Sequence, residues 1–149
     1  MPTRTQPNFR RFFVLCGAAL ALTGCGSPAA RIAGNVTHNG QAVRGAEVVV
    51  ETAASPAEQY FGMTTDDGSL YVGYRDKPGV PPGAVKIRVT HYLQRNGQPL
   101  PAGEAGQAIR ASEQTLVKTY VFDQELVDGK NVLELKLESA ASVVDGPPR

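Results

Sequence analysis

From Ala84 to Tyr92 the chain reads AVKIRVTHY, with Val85, Ile87 and Val89 in one phase and Lys86, Arg88 and Thr90 in the other. A period of two sends alternate side chains to opposite faces of a strand, so one face of this segment meets a core and the other meets water. The alternation recurs between turn signals. Arg31–His38 sets Ile32, Gly34 and Val36 against Ala33, Asn35 and Thr37 and then meets Asn39-Gly40. Both residues of that pair tolerate positive φ, which predicts a hairpin whose return strand is Gln41–Thr52. Asp66-Asp67-Gly68 predicts a second hairpin within Tyr60–Tyr74, with Leu70, Val72 and Tyr74 sharing a face. Thr115–Glu125 predicts a further strand, Asp128-Gly129 a turn, and Asn131–Glu138 a last strand that closes a final hairpin, with Leu133, Leu135 and Leu137 inward. The sum is an all-β fold, an antiparallel sandwich of about seven strands in two packed sheets.

Helical periodicity is scarce. Gly103–Glu113 has room for a turn or two, weakened by Gly106, inside a long crossover spanning Gln94–Ser112. Ser139–Arg149 has few residues of the kind that become buried and reads as a flexible tail. With 16 Gly, 11 Pro and no Trp among 149 residues, the composition suits short strands joined by turns.

The N-terminus has a different pattern. Arg4, Arg10 and Arg11 precede an apolar run, Phe12–Leu22, that is too short to cross a bilayer and has the order of a secretory signal. It ends in Leu22-Thr23-Gly24-Cys25, which resembles the lipobox of bacterial lipoproteins. That resemblance implies acylation of the Cys25 thiol and cleavage immediately before it, leaving a membrane anchor made of lipid. Cleavage after Ala21 instead would leave an unpartnered thiol in an oxidising compartment, because Cys16, the second of the two cysteines, departs with the signal. The expected organisation is a signal over 1–24, a lipidated tether over 25–30, a β domain over 31–138 and a tail over 139–149. Gly26 after the cysteine suggests the outer membrane by the enterobacterial sorting rule.

Removing the signal takes three of the 15 basic residues, so the mature chain holds 12 against 14 acidic ones. Such a balance, with no basic run, gives no electrostatic case for nucleic acid.

Three segments resemble one family. Gly34–Glu51 (GNVTHNGQAVRGAEVVVE), Gly62–Val72 (GMTTDDGSLYV) and Pro81–Val89 (PPGAVKIRV) are similar to the carboxypeptidase regulatory-like domain, a transthyretin-like or prealbumin-like β-sandwich. Gly45-Ala46, Asp66, Gly68 and Pro82-Gly83 match its pattern, whereas Leu70 and Val85 stand where aromatic residues are usual. With the lipobox and the closing Val127-Asp128-Gly129-Lys130-Asn131 motif, the chain is similar to small secreted lipoproteins of planctomycete-like bacteria. The resemblance implies fold and location more than activity.

Catalytic chemistry has little to build on. His38 and His91 are the two histidines, one beside a turn and facing solvent, the other at a strand end. Transthyretin-like hydroxyisourate hydrolases use a His/Arg/His constellation and a Tyr-Arg-Gly-Ser-type terminus, and this chain ends in Asp145-Gly146-Pro147-Pro148-Arg149. Ser55, Ser69 and Ser112 lie in no nucleophile-elbow motif. Asp66 and Asp67 raise calcium, but they lack further spaced carboxylates, and turn formation accounts for them. No metal or other cofactor is expected. Among Tyr60, Phe61, Tyr71, Tyr74 and Tyr92, core packing is the favoured use. Tyr71, out of phase with Leu70 and Val72, is the candidate for stacking a ligand. The expectation is a non-catalytic, lipid-anchored envelope module with a protein or glycan partner. Its alternatives are a glycan- or calcium-binding module and a transthyretin-type hydrolase.

Overall fold

The computed structural model describes residues 29–53, 58–73, 79–101, 103–110 and 115–146. The Asn39-Gly40 pair turns the chain as its residue types require: φ is 51° at Asn39 and 76° at Gly40, and His38 faces Gln41 across the turn. The return is brief. Strand β1 (Ala30–His38) pairs β2 (Gln41–Ala42) over two residue pairs, and the chain then leaves for β3 (Glu47–Thr52), which pairs elsewhere. The expected return strand Gln41–Thr52 is therefore split. Its middle is drawn across to Thr64: the Gly45 amide donates to the Thr64 carbonyl at 3.0 Å, and the Ala46 amide donates to Thr64 Oγ1 at 2.9 Å.

The second hairpin forms as its turn signal predicts, from β4 (Gln59–Thr64) and β5 (Ser69–Gly73), with Thr64 opposite Leu70. β6 (Gly83–Gln94) and β7 (Thr115–Leu126) make the longest pair, joined by a crossover that contains the short helix α1 (Glu104–Arg110). β8 (Gly129–Lys136) and β9 (Ser142–Asp145) complete the sheet. The fold is all-β, with nine strands where the alternation suggested about seven.

They form one continuous sheet rather than two, in the order β8-β1-β5-β4-β3-β6-β7-β9, with β2 beside the end of β1. The sheet curls into a half-barrel. Its concave face buries Ile32 and Val36 of β1, Val48 and Val50 of β3, Leu70 and Val72 of β5, Val85, Ile87 and Val89 of β6, Phe122 of β7 and Leu135 of β8. Each fully buried aliphatic side chain contributes about 1.5–3 kcal/mol relative to exposure. The sandwich-like core thus comes from one sheet curling over its own concave face.

Two departures from the sequence pattern concern the C-terminal third. β8 does not form a hairpin with β7; it crosses to β1 and pairs with it in parallel, from Ala30↔Gly129 to Thr37↔Lys136. The turn that redirects it is closed by the buried Asn131. Its Oδ1 accepts from the Val127 amide at 3.0 Å, and its Nδ2 donates to the carbonyls of Val127 and Gly129 at 2.8 and 3.2 Å. Asn131→Ala is expected to cost about 2–3 kcal/mol, read as a lower urea midpoint with an unchanged slope, because the three part-buried hydrogen bonds that close the turn go with the side chain.

The second departure is β9, which lies in the segment 139–149 that the pattern assigned to a tail. After a 3₁₀ turn at Leu137–Ser139, the chain pairs with β7 from Lys118↔Asp145 to Val121↔Ser142. This covers an edge of β7 that would otherwise be open. All four β9 residues are exposed, so no apolar alternation announced it.

Candidate functional site

Leu22, Thr23, Gly24 and Cys25 lie outside the described residues. Asp66 and Asp67 occupy the turn between β4 and β5. Asp67 Oδ1 accepts from Thr65 Oγ1 at 2.5 Å and from the Ser69 amide at 3.0 Å, and these bonds, the threonine's first, hold its pKa down at about 2. Its charge serves the turn. Among the described residues, no three His, Cys, Asp or Glu side chains converge as metal ligands.

Tyr71 stands on the convex face of β5, 65% exposed, with Leu70 and Val72 buried on the other side. Its cross-strand neighbours are Met63 on β4 and Ala33 on β1. Phe61, two residues back along β4 on the same face, is 61% exposed and pairs with Gly73. Core packing is thus the use of Tyr60 but not of Phe61 or Tyr71. Tyr92, half-buried, carries the Arg110 guanidinium 4.0 Å above its ring and donates from its hydroxyl to Glu47 at 2.9 Å. Arg110 also pairs with Glu47, which ties α1 to the sheet. Tyr74 lies outside the described residues.

The histidines are far apart in sequence and close in space. His38 ends β1, and His91 lies on β6 in phase with Val85, Ile87 and Val89, so its ring points into the fold. Their ring centroids are 6.1 Å apart and nearly perpendicular, and His38 stands equally far from Tyr120. His91 is only 5% exposed and its Nδ1 has no hydrogen-bond partner, so it is not the ordinary strand-end residue that its position suggested. Burial, and then the neighbouring His38, lower its pKa to about 4. Burial and then Asp145 raise the Tyr120 pKa. Beside His38, Glu138 accepts from the Asn39 amide at 3.2 Å; backbone hydrogen bonds and the His38 charge lower its pKa.

A cleft of about 380 Å³ opens over this pair, walled by Asn39, Gln41, Arg44, Gln98 and Leu100. The phase of His91 with the three inward aliphatics was the signal for its burial; nothing local announced its meeting with His38. Among the described residues, no hydroxyl or carboxylate hydrogen-bonds to either ring. No helix among the described residues is long and apolar enough to cross a membrane. In comparisons with known proteins, no family model, no curated protein and no solved structure matches this chain.

Proposed function

We propose that the chain is a non-catalytic, lipid-anchored β module of the cell envelope, related to the carboxypeptidase regulatory-like domains and held at a membrane through acylated Cys25. One observation carries this reading: four positions past Cys25 the chain is already tied into the sheet. The Ala29 amide donates to Asp128 Oδ1 at 2.7 Å, and buried Ala30 exchanges backbone hydrogen bonds with Val80 at 2.7 and 2.9 Å. A chain cut before Cys25 keeps both of these attachments. Mass spectrometry of the natural product is expected to find Cys25 as the first residue with a diacylglyceryl mass. A retained leader, or another start without acyl mass, overturns the reading.

The exposed Tyr71, Met63 and Phe61 on one convex face favour a second reading, in which this patch stacks a glycan. Binding on a glycan array that Tyr71→Ala abolishes, with thermal stability unchanged, is the result expected of it.

A further inference from the structure

We propose that the rim formed by Arg31, Lys130, Val127 and Val132 docks on the anionic headgroups of the membrane that holds the anchor, a proposal that rests on the lipid-anchor reading above. Chain length brings this end close. Four residue steps separate Cys25 from Ala29, and an extended chain spans at most about 3.6 Å per residue, so Ala29 lies within roughly 14 Å of the acylated cysteine. The hydrogen bonds of Ala29 and Ala30 to Asp128 and Val80 fix that point to the rest of the rim.

The chemistry of the rim fits a phospholipid surface. Arg31 and Lys130 are direct neighbours in the β1/β8 register, both are exposed, and neither joins an ion pair among the described residues. Like charges side by side on a sheet repel each other. A lipid phosphate between them turns that repulsion into attraction, as basic residues close to a bilayer do with anionic lipids. Val132, farther along the same face of β8, is 64% exposed, and Val127, in the β7–β8 turn, is 61% exposed. Cations at phosphate level with aliphatic groups beside them are the composition of an interfacial surface. Of the acidic residues nearby, Asp128 is engaged by the Ala29 amide, Glu125 lies on β7 in register with Ala84, and Glu134 follows Val132 on the same exposed face of β8, two positions farther from the tether. The opposite end, with the histidine cleft, stands off the bilayer by the length of β1, roughly 26 Å for a nine-residue strand.

The test uses the acylated full-length product in vesicles containing phosphatidylglycerol, with Val127→Cys or Asn96→Cys labelled by an environment-sensitive fluorophore and a quencher on the lipid headgroups. Asn96 lies in the turn just past β6, at the end distant from the tether. The label at 127 is expected to be quenched about threefold more than the label at 96. That excess should vanish in phosphatidylcholine vesicles and in an Arg31→Glu, Lys130→Glu variant that still floats with the vesicles. Equal quenching at both positions in a protein that floats overturns the docking and leaves the anchor standing. Persistence of the excess in phosphatidylcholine overturns the role of anionic headgroups. A chain that does not float and carries no acyl mass overturns both.

Discussion

Gly34→Ala is expected to lose at least about 3 kcal/mol of stability, a large share of the 5–15 kcal/mol typical of a small domain. Gly34 sits in β1 between two partners, opposite Leu70 of β5 on one side and Leu133 of β8 on the other. An added Cβ would fall well inside van der Waals contact of the backbone oxygen, carbon and nitrogen of Leu133. No flexible side-chain end is there to swing aside, so β8 itself must move. Displacing β8 disturbs the parallel ladder from Ala30 to Thr37 and the burial of Leu135 and Leu137 that depends on it. Urea unfolding followed by circular dichroism measures the effect, and Ala33→Val, on the outward phase of the same strand, is the control. An unchanged midpoint for Gly34→Ala would show that the close approach of β8 is not needed for the fold.

Acidification should weaken the wild-type domain through His91, and His91→Phe should remove that part of the pH dependence. The folded protein holds the His91 pKa at about 4, below the ordinary 6.5, because burial disfavours the charged ring and His38 adds repulsion. Between these values the unfolded chain binds the proton and the folded chain does not. Stability from this group is therefore complete above about pH 6.5, falls as the pH drops, and is lost near pH 4. The shift corresponds to about 3 kcal/mol across that window. Other ionisable groups lie nearby: His38 across the ring contact, Lys118 in register on β7 with Asp145 3.8 Å from it, Tyr120, which is neutral in this range, and Glu138 beside His38. Denaturant midpoints at pH 7, 5.5 and 4 should therefore diverge, the wild type falling faster. Parallel slopes would place the His91 proton equilibrium in the folded state near its ordinary value.

The histidine pair shows where a reading along the chain stops. His91 is two residues beyond Val89 in the inward phase, so its burial could be read from AVKIRVTH. Its neighbour His38 could not, because the two meet only when the ends of β1 and β6 come together across the curled sheet. Tyr71 is a similar case. Its outward phase follows from Leu70 and Val72, whereas its place beside Met63 and near Phe61 required the β4–β5 register. Asp67 was legible in full, since a turn aspartate bonding to residues two positions away on either side is a local matter.

Alternation and turn chemistry by themselves determined that the chain is all-β, which faces of β3, β5 and β6 turn inward, and that Asn39-Gly40 and Asp66-Asp67-Gly68 reverse it. The tertiary structure alone decided that the strands make one sheet, that β8 runs parallel to β1 rather than back along β7, and that β9 covers the β7 edge. The reason is one of range. Strand phase and turn conformation depend on interactions within a few residues. Strand partnership is chosen by burying inward faces that lie many residues apart, and no short stretch of sequence contains that information.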